Sequence, residues 1–246
     1  MSIPRSFAGV VFVGLIPFFI GCGSDKKPNN APTWVGRTYL LDIPVSHWRE
    51  PKGADEDVGA SVPKFLLEVK SAPGNALEVL MGAGDANGVQ DTCSPTSTVS
   101  ATSQYPGIQI GPADVRLRVG DKSKTSLVLA TAYQLTMTDV LVDAAGASTP
   151  STSQVSAILD GRQVYSIFWR LTNPTPDSVC ATLDNLGSPC MACPDGDQAG
   201  TQDSGTQGYC VKLRANGLAA GPLSGVSIQP IAESDLGASC RGDGGP

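Results

Sequence analysis

Seven cysteines, one histidine and a few acidic clusters are the side chains with which this 246-residue chain could do chemistry. Six of the cysteines, Cys93, Cys180, Cys190, Cys193, Cys210 and Cys240, make an even set, and in an exported chain an even set reads as three disulfides. Six thiols can pair in about 15 ways. The expected pairing is Cys180–Cys190 across a helix end, Cys193–Cys210 around the Asp195–Tyr209 loop, and Cys93–Cys240 as a long clasp. Cys190-Met191-Ala192-Cys193 has two competing readings. A four-thiolate zinc site with Cys180 and Cys210 lacks a second Cys-x-x-Cys, and an oxidising compartment favours bridges over thiolates. A redox pair should open a helix, which lowers the thiolate pKa; here Pro194-Asp195-Gly196 follows, which is turn chemistry.

The other candidates are weaker. His47, in Ser46-His47-Trp48-Arg49 with Asp42 upstream, reads as a surface or partly packed residue rather than a catalytic base. Asp55, Glu56 and Asp57 are the densest acids and could supply an acid/base pair, but they read as a solvated loop. Asp195–Thr206 resembles part of a calcium loop, with Ala199 and Thr206 standing where ligands are needed. Gly82–Gly88 follows a strand, yet its spacing fits a turn better than a dinucleotide loop. There is no Gly-x-Ser-x-Gly elbow, and Arg241-Gly242-Asp243 in a glycine-rich tail matches an adhesion tripeptide by letters only. A formal charge of −6 argues against nucleic acid as a partner, since phosphate binding needs clustered Lys and Arg. No catalytic residue, cofactor or metal is assigned.

Residues 1–21 read as a leader. Arg5 precedes the uncharged run Phe7–Ile20, about fourteen residues, shorter than the roughly 20 that span a bilayer. Phe19-Ile20-Gly21-Cys22 resembles the lipobox of bacterial lipoproteins, with Phe19 where Leu is usual. The resemblance implies cleavage before Cys22 and acylation of its thiol and new amine; the alternative is an ordinary leader with Cys22 buried or bridged. Each buried methylene contributes about 0.8 kcal/mol, so several acyl chains would hold the protein on a membrane with no span of its own. Residues 22–33 then form the lipidated tether, and Gly23, where inner-membrane lipoproteins often carry Asp, favours the outer membrane of a Gram-negative bacterium.

The elements that must position these residues are mostly strands. Ser126–Val142 alternates with period two: Leu127, Leu129, Tyr133, Leu135, Met137 and Leu141 on one face, Ala130, Ala132, Gln134, Thr136 and Thr138 on the other. Similar alternation marks Val35–Ile43, Phe65–Val69, Leu77–Met81, Ile108–Ile110, Val115–Val119, Gln154–Leu159, Val211–Leu213 and Val226–Ile231. Helical spacing over Gly161–Leu171 predicts an amphipathic helix. A second starts at Thr175-Pro176, buries Val179, Leu183 and Leu186, and stops at Gly187. Thr92–Gln104 reads as a Ser/Thr-rich loop. The sum is a mainly β chain: an antiparallel β-barrel or sandwich of roughly eight strands with a short helical, disulfide-stapled insertion. One domain would run over 34–236, with the insertion near 161–187 and a loose tail at 237–246. If it is a barrel, Tyr133, Leu135 and Met137 would line an apolar ligand cavity, with plain core packing as the alternative.

Thr38–Pro44, Val62–Val69, Ile110–Asp114, Leu159–Arg162 and Cys190–Gly196 with Cys210 resemble an uncharacterised family of myxobacterial and related deltaproteobacterial lipoproteins. That likeness implies no activity. Gly36-Arg37-Thr38-Tyr39 is weakly similar to the first strand of lipocalin-like barrels, which have Trp where Tyr39 stands. The expected function is therefore an envelope lipoprotein of non-enzymatic type, a structural or binding module for an envelope protein or a small apolar ligand. The alternative is an envelope hydrolase working through a carboxylate pair.

Overall fold

The computed structural model describes residues 34–43, 47–53, 55–104, 107–120, 128–141, 153–165, 174–196, 208–237 and 240. The leader, Cys22, the tether, most of the calcium-like loop and nearly all of the tail lie outside these residues.

Ten strands form one antiparallel sheet: β1 (Thr38–Asp42), β2 (Trp48–Glu50), β3 (Lys64–Ser71), β4 (Ala76–Gly84), β5 (Ser97–Gln104), β6 (Gly107–Val119), β7 (Val128–Leu141), β8 (Gln154–Asp160), β9 (Cys210–Asn216) and β10 (Ala219–Leu223). Their order is β10-β1-β3-β4-β5-β6-β7-β8-β9-β2. The sheet curls into a barrel-like wall whose seam is a pair of interrupted strands. Asp42 of β1 faces Ala219 of β10, and Trp48 of β2 faces Ala215 of β9. His47 bridges the interruption, its Nδ1 lying 3.0 Å from the Gly217 carbonyl.

Alternation builds the interior. Tyr39, Leu41, Leu67, Val69, Val79, Ile110, Leu159 and Ala215 point inward and are fully or nearly fully buried. Between them on the same strands, Glu78, Lys212 and Arg214 reach solvent. Three helices contribute to the same core: Val58 of α1 (Asp55–Ser61), Val164 of α2 (Gly161–Val164), and Val179 and Leu183 of α3 (Pro176–Asn185).

Several expectations are corrected. The acidic stretch at 55–57 opens helix α1 instead of a loop, and Ser97–Gln104 is a full strand. Val35 is exposed, so the opening strand starts at Thr38. Val226–Ile231 is not a strand; it runs over the outside of β1, β3 and β4, with Ile228 buried against Leu66 and Leu80. The α2 helix is described only to Val164, so the rest of the expected Gly161–Leu171 helix falls outside the described residues.

The largest correction concerns β7. Ala130 and Ala132, expected on the wet face, point into the core; Leu135 and Met137 do so as well, and then Val140. Parity changes because Gln134 and Asp139 adopt positive φ, 52° and 54°, inserting an extra residue each time. The pairing register of β6 with β7 and of β7 with β8 shifts accordingly around Gln134. The first irregularity is held from both sides. Asp114 accepts the Gln134 N–H at 2.8 Å, and Gly111 makes room for Leu135, whose carbonyl oxygen would lie 2.1 Å from any added Cβ.

Candidate binding cleft and the stapled polar cluster

Three disulfides close in the structure, Cys93–Cys240, Cys180–Cys190 and Cys193–Cys210, and these are the expected pairs. Two of them staple the insertion between β8 and β9. Its helix α3 forms as the sequence directs: Thr175 caps the first turn, accepting the Ser178 N–H, while Ser178 Oγ accepts the Thr175 N–H. Gly187, at φ 75°, ends it, and the Ser188 N–H returns to the Leu183 carbonyl. Leu186, expected in the core, is exposed as the C-cap residue, lying over Gly53.

Beneath the staple lies a polar cluster that runs from the buried Asp160 to the exposed Asp195. Asp160, only 1% exposed, caps α2 through the Arg162 N–H and accepts two bonds from the Arg162 guanidinium, at 2.8 and 2.7 Å. The same guanidinium donates to Asp195 at 2.9 Å, and Asp195 also accepts the Tyr133 hydroxyl at 3.0 Å. Bonding to Asp160 raises the Arg162 pKa further above its already high ordinary value, against the opposing effect of burial. Burial first, and then the bond to Asp195, raises that of Tyr133. An Asp160 oxygen and the sulfurs of Cys193 and Cys210 lie within 4.8 Å of one another, the spacing of a metal triad. Both sulfurs belong to one disulfide, so neither offers the thiolate that a metal needs.

Tyr133 belongs to this cluster, packed with Cys193 and Cys210 on the outer side of the wall. The structure therefore separates it from the other two expected lining residues: Leu135 and Met137 face the core. Leu135 borders an interior void of about 20 Å³, walled by Trp48, Phe65, Leu117 and Leu213 among others, which has room for about one water. A second void, near Met81 and Val115, measures about 10 Å³.

Among the described residues a roomier cavity lies outside the strand wall. A cleft of about 260 Å³ opens between the end of β2, the turn after α3 and β9, lined by Glu50, Lys52, Ser188, Pro189, Met191 and Lys212. Its walls are pinned. Ser188 Oγ accepts the Lys52 N–H at 2.8 Å, Cys190 is bridged to α3, and Met191 and Cys210 exchange both backbone hydrogen bonds. Glu50 draws two cations of β9 together, Lys212 at 3.3 Å and Arg214 at 3.8 Å. Sequence reading missed this cleft because its residues come from three elements with no shared motif. The only local hint was the Gly187-Ser188-Pro189 stop beside a cysteine.

The remaining candidates are quickly placed. Asp85 in the Gly82–Gly88 stretch accepts the Asn87 and Val89 N–H groups, a side-chain-closed turn as read. Asp42 is ion-paired with Lys64. Of the calcium-like stretch only Asp195 and Gly196 are described, and Asp195 is bonded to Arg162 and Tyr133. No protein-family model, no curated protein and no solved structure matches the chain.

Proposed function

We propose that this chain is an exported lipoprotein, held on a membrane by acyl chains on Cys22, whose stapled barrel is a binding or structural module rather than a catalyst. The observation that carries the reading is the cysteine ledger. All six cysteines from Cys93 onward are taken up in three bridges, which leaves Cys22, at the end of the apolar leader, without a cysteine partner in the chain. The even set closes on itself, so the odd cysteine left over is the one at the lipobox-like end of the leader, where acylation is the favoured fate. Gly23 directs the reading to the outer membrane. The interior voids given by the described residues measure about 20 and 10 Å³, against the roughly 300–1,000 Å³ of small-molecule pockets, which favours binding from the outer surface.

The test is metabolic labelling with radioactive palmitate in a Gram-negative host, followed by detergent phase partitioning. Labelled, detergent-phase wild type and unlabelled, aqueous-phase Cys22→Ser are expected. Label retained in Cys22→Ser, or wild type free of label, would overturn the anchor.

A further inference from the structure

We propose that the cleft between β2, the α3 turn and β9 is a binding site for a small organic anion carrying an apolar group. The proposal deepens the binding-module reading and rests on it.

The charge arrangement points to an anion. This chain is acidic overall, with a formal charge of −6, yet Lys212 and Arg214 are drawn to the single carboxylate of Glu50, and Lys52 lines the same cleft. Both Glu50 carboxylate oxygens already face cations of this chain, Oε2 the Lys212 ammonium and Oε1 the Arg214 guanidinium, so its charge is largely offset within the protein. Lys52 has no acidic partner among the described residues, and its ammonium is available at the rim. Ser188 uses its hydroxyl oxygen to accept from the Lys52 backbone, which leaves its proton to donate.

An apolar component is called for by the opposite wall. Pro189 and Met191 line it, and Met191 is 39% exposed although the Cys180–Cys190 bridge and the Met191–Cys210 bonds fix it in place. Met191 is one of the five large apolar side chains exposed among the described residues. A methionine beside a cavity adapts to irregular apolar or aromatic shapes. The walls are tied by backbone bonds and a disulfide, so little ordering remains to oppose binding. At about 260 Å³ the space suits a compact molecule, not a polymer.

The experiment is calorimetric titration of the full chain in non-ionic detergent with three probes: 3-phenylpropionate, its neutral amide, and 3-phenylpropylamine. The carboxylate is expected to bind about tenfold tighter than the amide, the scale of one charge-assisted hydrogen bond. Lys52→Gln and Lys212→Gln should each weaken the carboxylate about fivefold and reduce its salt dependence. Arg116→Gln, at an ion pair elsewhere on the wall, should leave it unchanged. Equal binding of acid and amide, preference for the amine, indifference to both lysine substitutions, or no heat with any probe would each overturn the proposal. Palmitate labelling reads the anchored-module proposal separately, so a labelled chain that ignores the probes loses only the ligand class.

Discussion

The insertion between β8 and β9 and the segment after β10 both cover the strand wall without contributing strands, and they are fixed by opposite chemistries. The insertion is tied locally: its two bridges span separations of 10 and 17 residues, and its charged core is a guanidinium held between Asp160 and Asp195. The C-terminal strap is tied at long range. Wall side chains satisfy its backbone: Glu68 accepts the Ile228 N–H at 2.6 Å, Gln90 exchanges two bonds with Gln229, and Thr96 accepts the Ile231 N–H. One clasp, Cys93–Cys240, spans 147 residues. A segment with no secondary structure of its own still needs its buried backbone groups bonded, and the strap meets that need through the side chains of its host.

The difference is sharpest when the bridges are removed. In the chain-entropy view a bridge restricts the unfolded chain more as its loop lengthens. Cys93→Ala/Cys240→Ala should therefore cost about 5 kcal/mol and Cys180→Ala/Cys190→Ala about 3 kcal/mol, read from urea unfolding midpoints. If the short bridge proves the more costly, the strap is not an equal partner in the fold.

Two buried carboxylates give the next contrast. Asp160→Asn weakens a pair with a largely buried guanidinium and should cost about 3 kcal/mol. Glu68→Gln, which removes charge from an acceptor of the Ile228 N–H, the Ser227 hydroxyl and Lys70, should cost about 1.5 kcal/mol. The strap also brings a pH signature. Burial raises the Glu68 pKa, but the bonds from Lys70, Ile228 and Ser227 outweigh it and hold the group below its ordinary 4.5. A lowered folded pKa gives stability that is present above about pH 4.5 and lost as pH falls through the folded value. Wild type should lose stability relative to Glu68→Gln over that acid range, as measured by urea midpoints at successive pH values.

How much was legible follows from where each signal sits. Wall strands such as β3 and β9 repeat every second residue, so their inward faces could be read directly. Helix α3 carries its start and stop in Thr175-Pro176 and Gly187, and the bridges follow from an even cysteine set. What escaped depends on partners far along the chain. Gln134 and Asp139 look like ordinary strand residues, and nothing local announces that each adds a residue to β7; the cue, Asp114 with Gly111, lies on β6. The strap has the alternation of a strand, but most of its backbone bonds go to side chains, which a periodic pattern does not distinguish. The cleft joins residues that only the fold brings together, and so does the polar cluster, where the local Asp160–Arg162 pair meets Asp195 and Tyr133.

The smallest expected effect tests whether the insertion is as local as its ties suggest. Thr175→Ala removes one half of the capping box of α3 and should cost about 1 kcal/mol, with Thr175→Asp restoring most of it, since Asp accepts the Ser178 N–H equally well. The distribution of the loss matters more than its size. Val179 and Leu183 are part of the barrel core, so α3 could unfold only with the wall, or it could fray alone behind its bridges. Amide exchange distinguishes these outcomes. Faster exchange in Val179–Leu186 with the Ile228 amide unchanged would mark the insertion as a separate opening unit. Equal acceleration at both would show that the two coverings, despite their different chemistry, share one cooperative wall.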